Sequence, residues 1–292
     1  MAVIATGFFD GVHQGHRRVI DTLLSEARAR GEQSVVVTFW PHPRAVLHKD
    51  DSSLRLLMSR SSREAMIRGL GVDRLETIEF SPEFASLSAL DYIRMLRDGY
   101  GCTALVLGYD TRFGSEQAGP QTIADLARGE GMDAVIVPPV NAPDSDMPIS
   151  STLIRTALEE GDAQLAAELL GRPYEVEGMV VTGNRLGRTI GFPTANMAID
   201  EALLLIPCGG VYRSSVVVKG VTYEGMSNIG TRPTVGGSGA LTVETHIFDF
   251  DEMIYGERIS VAFLERIRDE RRFPSLDALR AQLRADAELI RG

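Results

Sequence analysis

Lysine is almost missing from this 292-residue chain, in which Lys49 and Lys219 stand alone. A phosphate loop built on an obligatory lysine is thereby excluded, so any phosphate chemistry must rest on arginine, histidine, helix N-termini and metal. Net positive charge is missing too. The 30 Lys and Arg face 40 Asp and Glu, a formal net charge of −10. That argues against nucleic acid as a partner, but not against a nucleotide, which needs only a local positive site. Cysteine is scarce, and Cys102 and Cys208 are expected as free thiols in a reducing cytoplasm rather than as a disulfide. No apolar run approaches the ~18 residues of a membrane span, so no membrane partner is expected. The apolar opening MAVIATGFF lacks a basic start and a cleavage site and does not read as a signal peptide. The length suits two domains better than one.

What is present is concentrated near the start. Ala2-Val3-Ile4-Ala5 reads as a short buried strand, and Val19, Ile20, Leu23, Leu24 and Ala27 recur at helical spacing up to Gly31, a C-cap position. Between them Gly7 to His16, GFFDGVHQGH, turns from strand into helix. There an α/β sheet offers unpaired N–H groups and the positive end of a helix dipole to an anion. His13 and His16, three apart, fall on one face of the first helical turn, where imidazoles can donate hydrogen bonds to a phosphoryl group. Two plainer readings stand beside this one: surface histidines, and an HxxH metal pair. The zinc-protease pattern needs an i, i+4 pair with a glutamate, which is absent.

Strands are expected at Ser34–Phe39, Leu75–Phe80, Cys102–Leu107 and Ala134–Val137, and helices at Ser62–Leu70 and, as one segment, from Ser81 through Leu96. The alternation predicts a parallel, doubly wound sheet of about five strands. Trp40-Pro41-His42-Pro43 is a rigid loop at its carboxyl edge, with His42 either touching a ligand or serving the turn. Ser151 and Thr152 open a helix expected to run to Leu170, and Arg155 lies one turn on, pointing back toward an anion at that N-terminus. Gly171-Arg172-Pro173 ends it, which sets the domains at 1–171 and 172–292.

Beyond that boundary Glu175–Thr182, Val211–Val218, Val221–Ser227, Leu241–Phe248 and Arg258–Leu264 are strand-like, with glycine-rich turns and no helices between them. A small β-barrel is predicted, followed by a terminal helix, Ser275–Ile290, with Leu276, Leu279, Leu283 and Ala287 facing inward. Gly236-Gly237-Ser238-Gly239 reads as a flexible loop. Gly183 to Gly191 fails as a P-loop, being one residue short and carrying Arg188 where lysine belongs; it leads from strand into irregular loop. Its glycines still let amides approach phosphate oxygens. Thr194 and Asn196, two apart on an extended segment, project to one side, a geometry suited to Mg²⁺ and phosphates, although PTAN alone is usually a turn. Alternation puts Thr242, Glu244 and His246 on one face of a strand, so Glu244 is either a general base for a hydroxyl or part of a solvated face.

The GFFDGVHQGH run resembles the HxGH signature of the adenylyltransferase superfamily. GRTIGFPTAN, GVYRSSV, SNIGTRPT, VETHIFDFD and YGERISVAFLERIRDERRFPSLDALRAQL together look like a riboflavin kinase domain. In this order, with LGRPYEVEG at the join, they resemble the prokaryotic bifunctional FAD synthetase family over nearly the whole chain. The resemblance implies an α/β nucleotidyltransferase-like domain followed by a β-barrel kinase domain with a terminal helix. It also implies the substrates ATP, riboflavin, FMN and FAD, with Mg²⁺ as cofactor. In the first domain it makes His13 and His16 catalytic on the α-phosphate. Gly7, Phe8, Asp10, Gly11, Asp110, Ser151, Thr152 and Arg155 would bind the nucleotide. In the second it makes Glu244 the base, Thr194 and Asn196 the metal site, and Gly187, Arg188 and Gly191 the phosphate loop. Thr111-Arg112 departs from the family's GxDFxFG loop, and the chain begins at its first strand where members usually carry a leader. Two rivals are an adenylyltransferase for another phosphate acceptor and a flavin-binding regulator with idle sites. The kinase-like block speaks against the first, and intact His13, His16, Asn196 and Glu244 against the second.

Overall fold

Strands that are apolar on both faces can be buried only between two layers of helices. The first unit obeys that rule. Its five strands, β1 (Ala2–Thr6), β2 (Gln33–Trp40), β3 (Arg74–Glu79), β4 (Cys102–Gly108) and β5 (Asp133–Val137), form a parallel sheet in the order β3-β2-β1-β4-β5. The helices are α1 (Gln14–Arg30), α2 (Pro43–Leu47), α3 (Arg60–Gly69), α4 (Pro82–Ala85), α5 (Ala89–Tyr100) and α6 (Pro120–Gly129). Ile4, Val35, Val37, Leu105 and Leu107 pack against Ile93, Leu96, Ile123 and Ala127 of α5 and α6. Because the winding reverses between β1 and β4, a crevice opens at their carboxyl ends.

The computed structural model describes residues 1–48, 53–183, 186–232 and 240–292, and separates into Met1–Ser151 and Thr152–Gly292. Lys49, Asn184 and Arg185, the Pro233-Thr234 end of SNIGTRPT and the Gly236–Gly239 loop lie outside the described residues.

The helix expected from Ser81 to Leu96 is two helices. Ser88 accepts the Asp91 N–H and starts α5 afresh after the short α4. Likewise the helix expected to reach Leu170 breaks into α7 (Ser151–Glu160) and α8 (Ala163–Leu170). Gly161 takes a φ of 85° and Asp162 caps α8 through Leu165 N–H, a combination that stops one helix and begins another. Periodicity also passed over α6, whose start is marked by Pro120 at its first position, and α2, which His42 caps through Arg44 N–H at 3.0 Å.

In the second unit β6 (Tyr174–Val181), β7 (Ala195–Ala198), β8 (Gly210–Val218), β9 (Val221–Arg232), β10 (Ala240–Ile247) and β11 (Arg258–Arg268) close a barrel in the order β10-β7-β6-β11-β8-β9. The strict alternation of β6, with Tyr174, Val176 and Val180 buried, is what a closed small barrel requires. Ser214, Ser227 and Thr245 are buried within it and satisfy one another through hydroxyl contacts of 2.8 Å. The segment expected to be irregular after Gly183 contains a short helix, α9 (Leu186–Thr189). The terminal helix α10 (Leu276–Arg291) is capped by Ser275, but Leu276 does not face inward. It is 51% exposed, while Leu283, Ala287 and Ile290 pack on Val211, Met226 and Phe248. Arg268 at the end of β11 grips the buried Asp286 of α10 through Nε and Nη2, fixing the helix to the barrel.

Candidate active sites

The turn after β1 is unusually constrained. Phe9, Gly11 and Val12 have φ of 56°, 80° and 41°. For a buried, β-branched residue such as Val12 this is strained backbone, of the order of 1–3 kcal/mol, which clusters where function needs it. The turn is held by Gly7 N–H to Val37 O at 3.0 Å and by the Asp10 carboxylate, whose two oxygens accept Leu57 N–H at 3.0 and 3.1 Å. Asp10 is 4% exposed and braces the turn from behind rather than lining the crevice. Its carbonyl accepts Ser151 Oγ at 2.9 Å, bringing that serine to the signature turn.

His13 is the N-cap of α1 and not its first residue. Its Nδ1 accepts His16 N–H at 3.3 Å, and the two rings stack at 3.6 Å and 18°. Both line a crevice of about 240 Å³ with Gly7, Phe8, Asp110 and Arg112. Thr111 and Phe113 line it too, so the departure from the family loop falls on the wall of the site. Thr152 and Arg155 follow Ser151 on α7 but belong to the second unit.

Two residues of this region drew no role from the sequence, although Gly15 stands inside the HxGH signature. Gly15 leaves room for the His13 ring, since a Cβ there would lie 3.1 Å from it. Gly15→Ala is expected to displace that ring and to slow the adenylyl transfer that the resemblance implies by up to about 100-fold, the cost of a small misalignment. Rates of FAD formation from FMN check this, with riboflavin phosphorylation unchanged. Arg63 is fully buried, with its guanidinium 3.8 Å above the Phe8 ring and Nη2 on Phe39 O, while Nε and Nη1 find no partner among the described residues. Burial pulls its pKa down to about 10 despite the nearby Asp10. No local pattern marks an arginine in an amphipathic helix as a core residue.

Burial, then the neighbouring His13 and Arg63, hold His16 well below the ordinary 6.5. Its Nδ1 is buried without a partner among the described residues, which favours a neutral ring with the proton on Nε2. Because the folded pKa is depressed, the stability linked to this group is full above 6.5, declines as the unfolded chain protonates below it, and is gone under the folded value. The His16 Cε1–H NMR signal is expected to stay flat from about pH 8 to pH 6; a titration step near the ordinary histidine value would contradict this.

In the barrel, register does what spacing could only suggest. Glu244 of β10 lies directly opposite Asn196 of β7 and, on its other side, Asn228 of β9. Directly opposed residues share a face at about 5 Å, so the carboxylate is flanked by two amides. Asn228 was quoted within SNIGTRPT but not singled out, because strand pairing is invisible in sequence. Asn196 Nδ2 leans to Thr194 Oγ1 at 3.5 Å. A Cβ on Gly187 would run into Phe192 O, and Gly191 needs its φ of 84°, so both glycines are demanded by the loop.

Thr194 borders two clefts. One, of about 380 Å³, includes Arg188, Thr245 and Tyr255; the other, of about 290 Å³, includes Gly187, Asn228, Glu244, His246 and Arg268. The Thr194 hydroxyl and Asn196 amide form a neutral oxygen pair. That suits a hard cation that takes most of its ligands from phosphates and water. Among the described residues no group of three His, Cys, Asp or Glu is placed to hold a metal by itself. Cys102 and Cys208 are free thiols; burial pushes the Cys102 thiol up to about 12.

Comparison with known proteins places the chain among two-activity transferases. Residues 1–153 match the FAD synthetase family and residues 170–292 the riboflavin kinase family. Bifunctional riboflavin kinase/FMN adenylyltransferases of Bacillus subtilis and Pseudomonas fluorescens are 36% and 37% identical, over 98% and 99% of this chain and 90% and 92% of theirs. That of Escherichia coli K12 is 37% identical over 97% of this chain and 90% of its own. A crystal structure described as a macrolide-efflux protein from Streptococcus pneumoniae is 35% identical, with a TM-score of 0.91 over 100% of this chain and 94% of that one. No helix of the described residues is long and apolar enough to cross a membrane. The chain belongs to the bifunctional riboflavin kinase/FMN adenylyltransferase family. It is a transferase of flavin-cofactor biosynthesis, and its two activities imply the use of ATP, generally with a divalent metal.

Proposed function

We propose that the C-terminal domain, 172–292, phosphorylates riboflavin to FMN, and that the N-terminal domain, 1–171, adenylylates FMN to FAD with release of pyrophosphate, in the cytoplasm. The observation that carries the reading is the Asn196–Glu244–Asn228 row. Its Glu244 and Asn228 line the 290 Å³ cleft, read as the acceptor side, while Thr194 joins that cleft to the 380 Å³ cleft beside Arg188, read as the donor side. The ribityl hydroxyl of riboflavin is protonated at neutral pH and needs a base. Glu244 takes its proton while the oxygen attacks the γ-phosphorus and ADP leaves. Arg188 and the amides near Gly187 and Gly191 hold the phosphates. Thr194 and Asn196 would hold Mg²⁺, which neutralises charge on the transferred group.

The acceptor of the second step is already an anion. The FMN phosphate attacks the α-phosphorus of ATP without a base, and pyrophosphate leaves. His13 and His16 donate hydrogen bonds to the α-phosphate oxygens, so catalysis there is positioning and electrostatics. Gly7, Phe8, Gly11 and Asp110 receive the nucleotide, Asp10 keeps the turn in shape, and Ser151, Thr152 and Arg155 contact the triphosphate. Other phosphate acceptors and an idle flavin-binding role find no support beside the riboflavin kinase match. Incubation with riboflavin, ATP and Mg²⁺ followed by chromatography is expected to yield FMN and then FAD; unchanged riboflavin would sink the proposal.

A further inference from the structure

The geometry points to His246 as a positioning residue for the kinase step, one that holds the partition between the two barrel clefts. The partition is the segment Phe192-Pro193-Thr194. Pro193 borders only the 380 Å³ cleft that Arg188 lines, the donor side of the kinase reading, and Phe192 only the 290 Å³ cleft that Glu244 lines, its acceptor side, while Thr194 borders both. A phosphoryl group passing from one cleft to the other must cross at Thr194, so where this segment sits decides whether donor and acceptor oxygens line up.

Phe192 N–H donates to Gly187 O at 2.8 Å, closing the loop on itself; Asn196 Nδ2 reaches Thr194 Oγ1 at 3.5 Å; and Arg280 Nε of α10 donates to Ile190 O at 3.3 Å, just ahead of the segment. A further bond comes from the strand that carries Glu244. His246 Nδ1 lies 2.8 Å from Pro193 O. A carbonyl only accepts, so Nδ1 carries the proton and donates it. Pro193 has no N–H of its own, which leaves this carbonyl as its main-chain means of attachment. The imidazole also meets Phe192 at 5.1 Å and Phe248 at 5.4 Å, both edge to face, so its orientation is set from two sides. His246 and Glu244 project from the same face of β10 and line the same cleft. The bond thus ties the crossing point at Thr194 to the strand that presents the base. A tie of this kind controls alignment rather than affinity for the acceptor.

The inference rests on the kinase reading of the barrel, and steady-state kinetics separates the two. A wild-type chain that forms no FMN removes that reading; a wild-type chain that forms FMN beside an unaffected variant removes only the role of His246. His246→Phe keeps a ring against Phe192 and Phe248 but cannot donate. Its kcat for riboflavin phosphorylation is expected to fall about 10- to 100-fold, as for a misplacement of about 1 Å. The riboflavin KM should stay within about twofold, and FAD formation from supplied FMN, made in the other unit, should not change. Misalignment also lets water take the γ-phosphoryl group in place of the hydroxyl, giving ADP and inorganic phosphate, so the ratio of ADP to FMN should rise above one. His246→Gln, which retains an N–H donor, should recover part of kcat and lower that ratio again. If the Phe variant does not fold, His246→Ala assayed with and without added imidazole takes its place, with recovery on adding imidazole expected. Unchanged kcat, a rise confined to KM, a ratio that stays at one, or failure of both glutamine and imidazole to restore activity would overturn the assignment.

Discussion

Glu244→Gln is expected to lower FMN formation from riboflavin by about 10²- to 10⁴-fold, the range for loss of a general base. FAD formation from supplied FMN should persist. Glutamine keeps the shape of the side chain and an oxygen that can accept the hydroxyl hydrogen bond, so the change removes basicity with little else. The neighbours sharpen the test. Asn196 and Asn228 stand opposite the carboxylate on both flanking strands, and neither can replace it as a proton acceptor. Product separation after incubation with riboflavin, ATP and Mg²⁺ reads the first step. A second incubation with FMN in place of riboflavin reads the other. Wild-type FMN formation by the Gln variant would reduce Glu244 to an ordinary residue of the barrel surface.

His16→Ala should do the reverse, with FMN accumulating from riboflavin and FAD formation falling by about 10²- to 10³-fold, as when one preorganised donor to a developing charge is removed. The magnitude follows from the setting. The ring is desolvated, packed face to face on His13 and held neutral, so its donor needs no reorganisation at the moment of transfer. Truncation also takes away the stacking partner of His13, adding a positional loss to the electrostatic one. If Glu244→Gln and His16→Ala each removed both activities, a single shared site would replace the two-site picture.

These opposed outcomes follow from the ionisation of the acceptors. A hydroxyl needs a proton acceptor and a phosphate does not, which accounts for a carboxylate in the barrel and a pair of imidazoles at the sheet. A protonated imidazole would add charge at the sheet site, but burial beside Arg63 disfavours it. The sheet site is therefore read as a set of fixed dipoles rather than a cationic clamp.

Much of this was legible residue by residue. Strand-length apolar runs separated by helical periodicity specify a parallel α/β sheet, because only that arrangement buries both faces. Runs alternating with glycine turns specify a barrel. The residues proposed to handle phosphate stand out in sequence because glycine, histidine and hydroxyl residues in short fixed spacings carry their chemistry locally. Helix breaks were less so, since Ser88 and Asp162 look like ordinary polar positions until their side chains are seen capping α5 and α8. Leu276 fits an amphipathic stripe, yet the first residue of α10 has nothing to pack against.

By itself, then, the sequence determined the two modules, their order and the residue types proposed for the chemistry, since these depend on neighbours along the chain. Tertiary structure alone decided that Asp10 turns inward to Leu57, that Arg63 lies buried beneath Phe8, that Glu244 stands between Asn196 and Asn228, and that Thr194 borders two clefts. Each of those facts joins residues far apart in the chain through strand register or helix docking. Pairing energies of that kind are set by the whole packed core and leave no mark on any single stretch of sequence.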